Sequence, residues 1–269
     1  MRITALHSYP VKGCHRLDHD EAVVESWGLA GDRRWMVVDA DGVGITQRDT
    51  PRLTQLTARP RPGGLQLSAP GQPGLDLDEP ADGPKIDVRV FRNKPSYPAR
   101  IAESDWISEF LGRDARLAWQ SDPTSRPVFE FAEPDRVSFA DGYPLLLANA
   151  ASLDAVNDWL AEGGDDPVPM HRFRPNLVVS GAPAWAEDDW IGHRLRIGDL
   201  TYRADKPCDR CRVTTIDQET GQTGRQPLHV LGKHRRFAQG LLFAINLIPD
   251  LPAGARGVIR VGDLVLEES

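Results

Sequence analysis

Glycine and proline set the first constraint on this chain. Its 269 residues include 24 Gly and 22 Pro, which cut the apolar and β-branched residues into short runs bounded by turn signals. Arg2–Ser8, Glu21–Ser26, Arg34–Asp39, Arg52–Arg59, Gly64–Ser68 and Ile86–Arg92 have this form in the first half, with Asp41-Gly42 as a hairpin turn. Asn176–Ser180, Arg194–Ala204, Arg212–Asp217, Leu241–Ile248 and Gly257–Glu268 continue it in the second. Many short strands at close spacing predict a sheet-rich sandwich or barrel rather than βαβ units. Three stretches read as helices. Ser104–Leu111 opens on a capping serine and sets Trp106, Ile107, Phe110 and Leu111 on one face. Ala151–Glu162 does the same with Leu153, Val156, Trp159 and Leu160, and Pro227–Lys233 is shorter. Pro70–Pro84, rich in Pro, Gly, Asp and Glu, reads as an exposed loop. The polar, turn-like run Gln120–Ser125 divides the chain into an expected first domain, residues 1–120, and a second, residues 121–269. The expected class is therefore mixed and β-rich (α+β), with a few peripheral helices.

Several function classes fall away on composition. The three cysteines are Cys14, Cys208 and Cys211, and the N-terminus has no apolar stretch ending in a cleavage site. Together these predict a reducing, cytoplasmic setting with reactive or ligating thiols. The longest apolar runs, Tyr143–Ala148 and Leu241–Pro249, are far short of a membrane span. A net charge of −7 disfavours nucleic acid and anionic membrane surfaces as partners.

The sharpest local feature is Lys206-Pro207-Cys208-Asp209-Arg210-Cys211-Arg212. A Cys-x-x-Cys pair is compatible with half of a zinc site, completed here by His7, His15 or His19. It is compatible with a thioredoxin-type redox pair, although that chemistry wants a helix after its first cysteine, and the β-branched run Val213–Ile216 predicts a strand. A buried, inert pair is the third reading. The flanking cations Lys206, Arg210 and Arg212 favour activated thiolates, which are soft metal ligands. Three further segments could bring positive charge to an anion. Tyr9-Pro10-Val11-Lys12-Gly13-Cys14 sets Lys12 at a strand end. Gly28 and Gly31 bracket a tight loop that leads into Arg33 and Arg34. Phe173-Arg174-Pro175-Asn176 sets Arg174 at the start of an apolar strand.

Taken in order along the chain, these segments resemble the MOSC family, named for the C-terminal domain of molybdenum cofactor sulfurases. The resemblance also takes in Thr46-Gln47-Arg48-Asp49-Thr50-Pro51-Arg52-Leu53, the run Cys-x-Arg-Cys-x-x-Thr-Thr-x-Asp ending at Asp217, and Val261-Gly262-Asp263. It is strongest to members with an N-terminal β-barrel domain, among them the mitochondrial amidoxime-reducing component and its bacterial relatives. It implies an N-terminal β-barrel-like domain followed by a MOSC β-barrel domain, holding a molybdenum–molybdopterin cofactor. Cys211 falls on the metal ligand, with Cys208 as the alternative. Asp209, Arg210, Lys12, Gly13, Arg33, Arg174, Gly142, Tyr143 and Asn246 fall on positions that contact the cofactor.

The activity implied is reduction of N-hydroxylated compounds such as amidoximes, hydroxylamines or N-hydroxy bases. No cysteine follows Cys211, so no intrinsic iron–sulfur cluster is expected and electrons would come from a separate protein. The other implied reading is a cofactor carrier or sulfur-transfer module without its own turnover. The chain has no room for a pyridoxal-phosphate desulfurase portion, so that cofactor is an association of the family only. Gly13 stands where the amidoxime-reducing proteins usually have serine, and Gln218 where the pattern often has proline. Asp217 reads either as a proton donor or as an aspartate that orders its turn.

Overall fold

The computed structural model describes residues 1–102, 104–128 and 132–268. Strands dominate, as the turn spacing predicts. The largest sheet runs Val265–Glu268, Arg194–Ile197, Leu200–Asp209, Gly240–Pro249, Leu145–Asn149, Leu177–Ser180, Arg2–Ser8, Leu17–His19, with the short Arg236–Phe237 pairing the Gly240 end of its neighbour. A five-stranded sheet runs Lys85–Arg89, Ser96–Ala102, Arg116–Trp119, Trp35–Val38, Val11–Lys12. Among the described residues these sheets are open rather than closed into barrels.

Sequence order and packing divide the molecule differently. Arg2–Ser8 pairs with Leu177–Ser180, and Glu21–Glu25 pairs with Arg256–Arg260. Ile3, Leu6, Val24 and Leu29 are thus buried in one core with Leu145, Leu177, Tyr202 and Leu247. A second core gathers Trp35, Leu53, Leu65, Phe110 and Leu117. The chain leaves the large sheet at Ser8 and enters the smaller one at Val11, so Tyr9 to Gly13 lie at the junction of the two.

Several expectations are corrected. Leu145–Asn149 and Leu177–Ser180 are parallel and joined through the helix Ala150–Glu162, so one βαβ unit is present. All five residues of Leu145–Asn149 are buried, which is why this strand reads as an apolar run without alternation up to Asn149. Arg52–Arg59 is a 3-10 turn, Pro51–Gln55, followed by the strand Thr57–Arg61. Proline at the start of the turn fixes its first φ and lacks a donor to give a ladder. Pro70–Pro84 contains the strand Leu75–Asp78, paired with Gly64–Ser68.

The expected strand Arg212–Asp217 is instead a 3-10 turn, Arg212–Thr215. Its threonines explain the difference. Thr214 Oγ1 donates to Cys211 O at 3.0 Å and Thr215 Oγ1 to Arg212 O at 2.9 Å, so side chains satisfy carbonyls that a strand would offer to a neighbour. The helices form close to where their apolar stripes place them, at Trp106–Leu111, Ala150–Glu162 and Leu228–His234. Gly112, at φ 65, ends the first. Asn149 caps the second, accepting from Ala151 N at 3.2 Å.

Candidate functional site

A cleft of about 960 Å³, partly open to solvent, lies where the two sheets meet. Lys12, Gly13, Arg33, Gly142, Tyr143, Arg174, Asp209, Arg210, Cys211 and Asn246, singled out from the sequence, all line it, as does Cys208. The two ends of the cleft differ in chemistry.

At one end two guanidinium groups meet the same tyrosine ring. Arg33 lies over Tyr9 with its Cζ 4.5 Å from the ring centroid, and Arg174 lies over the same ring at 4.1 Å. Tyr9 is buried and its hydroxyl donates to Pro175 O at 3.0 Å. Both arginines hold a left-handed backbone, φ 49 and φ 55. For a non-glycine residue that conformation costs about 1–3 kcal/mol and persists only where its surroundings impose it. Buried Asp32 supplies part of that constraint, accepting from Tyr9 N at 2.7 Å and pairing with Arg33. Arg33 Nη1 also donates to Asn176 Oδ1 at 3.2 Å. Arg174 Nη1 donates to Gln218 Oε1 at 2.8 Å, whereas its Nη2 is buried with no partner. Burial pushes the Arg174 guanidinium down to about 10 and the Tyr9 hydroxyl up to about 12.

Lys12 extends the positive charge. Its side chain is buried and its ammonium pairs with Asp141, whose side chain is 64% exposed. Burial pushes the ammonium down to about 8 despite that partner. The pairing acts in return on Asp141: against its own desolvation, the Lys12 ammonium holds that carboxyl well below the usual carboxylate range. Gly13 follows at φ 78, and its carbonyl accepts from Gln47 Nε2 at 2.7 Å.

The other end holds sulfur. The strand Leu200–Asp209 ends inside the Cys-x-x-Cys segment, and Cys211 precedes the 3-10 turn. Each sulfur meets one guanidinium: Arg210 Nη1 donates to Cys208 Sγ at 2.8 Å, and Arg48 Nη2 to Cys211 Sγ at 3.0 Å. Arg210 is also tied to Phe173 O at 2.6 Å, and its Nε is buried without a partner. Asp209 Oδ1 accepts from Leu241 N at 2.9 Å, and a Cβ at Gly240 would sit 2.1 Å from that oxygen, so only glycine admits the aspartate there. Asn246 Nδ2 reaches Lys206 O and Pro207 O, each at 3.4 Å, where the strand bulges. Tyr143 donates to Asp205, and Lys206 lies over its ring.

The zinc reading finds no cage. His7 pairs with Asp18, His15 with Glu219, and His19 with Ser8. Among the described residues no group of three or more His, Cys, Asp or Glu is gathered to hold a metal. Cys14 is buried, and burial pushes its thiol up to about 12. Asp217 accepts from Glu219 N, Thr220 N and Thr220 Oγ1 at 2.8–3.0 Å, so its carboxylate organises the turn. Arg48, Gln47 and Asp141 line the cleft and were given no role from sequence. Arg48 lies in a segment that carries the resemblance, but nothing local marks it as the residue that meets a sulfur.

Cations and a buried, unpartnered guanidinium nitrogen at one end, with a partly exposed thiol at the other, suit an anionic ligand that also takes a sulfur donor. The chain's family agrees with that class. Residues 1–114 match the MOSC N-terminal beta barrel domain and residues 134–266 the MOSC domain. The chain is 31% identical to mitochondrial amidoxime-reducing component 1 of Mus musculus, over 98% of this chain and 81% of that protein. It is 33% identical to mitochondrial amidoxime reducing component 2 of Rattus norvegicus, over 96% of this chain and 80% of that protein. It is 30% identical to molybdenum cofactor sulfurase of Oryza sativa, over 89% of this chain but 31% of that protein. The chain belongs to the MOSC family, in the group that carries the N-terminal domain. No helix among the described residues is long and apolar enough to cross a membrane.

Proposed function

We propose that this chain binds a molybdenum–pterin cofactor in the cleft and reduces N-hydroxylated compounds with electrons from a separate electron-transfer protein. The observation that carries this reading is the shared cleft: the Cys211 sulfur, held by Arg48, opens into the same space as Lys12, Arg33 and Arg174. A phosphate-bearing pterin suits the cation end, where arginine forks donate to phosphate oxygens and Lys12 adds a point charge. Cys211 is the protein's metal ligand in this reading, Arg48 compensates its charge as a thiolate, and Arg210 does the same for Cys208. Asp209, Gly142, Tyr143, Asn246 and Gly13 shape the wall, with Gly13 contributing backbone only. The bound group supplies two-electron redox chemistry. The substrate gains two electrons and two protons, and its N–O bond breaks to release water.

The test joins metal content to turnover. Protein from a host that makes the cofactor should carry near-stoichiometric molybdenum, Cys211→Ser should lose it, and the loaded protein should reduce benzamidoxime with a chemical reductant. Zinc in place of molybdenum defeats the cofactor reading, and molybdenum retained in Cys211→Ser defeats Cys211 as the ligand in favour of Cys208. Molybdenum without turnover defeats the substrate class. The similarity to a sulfurase over most of this chain supports a second reading, a carrier or sulfur-transfer module. It predicts ready release of cofactor during purification and no turnover.

A further inference from the structure

Two buried glutamines clasp each other behind the cleft. Gln47 Nε2 donates to Gln218 Oε1 at 2.9 Å, and Gln218 Nε2 returns a bond to Gln47 Oε1 at 3.0 Å. Gln47 is 1% exposed and Gln218 3%. Every remaining bond of the pair reaches a different part of the site. Gln47 Nε2 also donates to Gly13 O, at 2.7 Å. Gln218 Nε2 donates to Ile216 O at 3.0 Å, and Gln218 Oε1 accepts from Arg174 Nη1 at 2.8 Å. Next to Gln47, Arg48 donates to the Cys211 sulfur. Four segments distant in sequence thus meet on two side-chain amides: the turn after Lys12, the loop before Arg48, the turn after Cys211, and Arg174.

The geometry points to Gln47 and Gln218 as the positioning residues of the anion end, with Arg174 as the group through which they act. Gln218 satisfies Nη1 of the guanidinium and leaves Nη2 buried without a partner at the cleft wall. A guanidinium clamped on one nitrogen keeps the other aimed, so an anion arriving there forms its bond without first ordering the side chain. The ligand class is a phosphate-type oxyanion, which accepts a charge-assisted bond from the free nitrogen. A proline at 218, as the family pattern often has, offers neither a donor nor an acceptor there. Removing the Gln218 amide strands Gln47 Oε1, which among the described residues accepts from Gln218 Nε2 alone, while Gln47 Nε2 keeps its bond to Gly13 O.

The inference rests on the proposed anion-binding cleft, and one experiment separates the two. Inorganic phosphate is titrated against the full chain, with affinity read by calorimetry for wild type, Arg174→Ala, Gln218→Leu and their double variant. We expect measurable binding in wild type and a loss of about tenfold or more in each single variant. The Gln218 effect should vanish when Arg174 is already alanine. Gln218→Glu, close in shape, guards against a misfolded leucine variant. It keeps the acceptor for Arg174 but sets a carboxylate behind the phosphate, and it should also bind less tightly. No phosphate binding by wild type removes the anion-binding reading and this proposal with it. Wild-type binding with the glutamine effects absent, or unchanged in the Arg174→Ala background, overturns the positioning role and leaves the cleft reading standing.

Discussion

The two ends of the cleft are built to different standards of rigidity. Tyr9, Asp32, Arg33 and Arg174 are mutually braced by ring contacts and hydrogen bonds, and Tyr9 and Asp32 are almost wholly buried. Cys208 and Cys211 are only partly buried, and each sulfur is met by a single guanidinium. The braced end has its donors fixed before any ligand arrives, so little ordering is left to oppose binding there. The cysteine end keeps sulfur accessible, as ligation requires. On the proposed reading, grip and reactivity fall at separate places along one wall.

The comparison breaks most visibly through Asp32. Asp32→Ala leaves the Arg33 guanidinium without its carboxylate and the Tyr9 amide without its acceptor, a loss of about 3–5 kcal/mol for half of a buried ion pair. Cys208→Ala removes one donor contact to a partly exposed sulfur and should cost no more than about 1 kcal/mol. Urea unfolding of the two variants beside wild type measures both. Equal losses would mean that the ends are not built differently.

That asymmetry also separates what the sequence discloses from what it hides. Turn residues announce the strands because punctuation is local: Gly64–Ser68 forms at the residues its turns bound. The partner of a strand is not local. Nothing in Arg2–Ser8 says that it pairs with Leu177–Ser180. The 3-10 turn after Cys211 was hidden because threonine favours strands on average, and here its hydroxyls bond their own turn. The cleft residues came from the family resemblance, which orders segments far apart in sequence. Arg48 and Gln47 lay inside a segment of that resemblance without a role, since their partners Cys211 and Gln218 stand 163 and 171 residues away. Tyr9 was visible as part of a strand end, but a ring that meets two arginines is legible only once the chain is folded.

Lys12 sharpens the comparison through pH. Its ammonium, near 8 in the fold, is depressed below the roughly 10.4 expected of the unfolded chain. Between those values the unfolded state binds more protons, so stability of the ligand-free protein should rise with pH across that window, by up to about 3 kcal/mol. Phosphate affinity should move the opposite way. Above pH 8 phosphate is already a dianion, so a decline between pH 8 and 9, ahead of the Arg174 guanidinium near 10, reports the loss of positive charge at Lys12. Lys12→Met should flatten both profiles. A phosphate affinity that stays level from pH 8 to pH 10 would remove Lys12 from the anion end.

Gly13 gives the smallest expected effect and tests how rigid the braced end is. Its φ of 78 suits glycine, and a Cβ there would meet only Leu53 Cδ1 at 3.7 Å and Gln47 Cγ at 3.9 Å, which is ordinary contact. Space is therefore not the obstacle to a serine at this position. Backbone strain is, at about 1–2 kcal/mol for a residue with a Cβ. Gly13→Ala and Gly13→Ser should lose that stability equally in urea unfolding, because the strain depends on the Cβ and not on the hydroxyl. Phosphate affinity then separates them. If the serine variant binds more tightly than the alanine variant, the hydroxyl reaches the anion and this chain has exchanged that contact for an unstrained turn. If neither variant loses stability, the turn after Lys12 relaxes freely, and the contrast between a rigid anion end and a yielding cysteine end fails at the residue where Gln47 ties the two together.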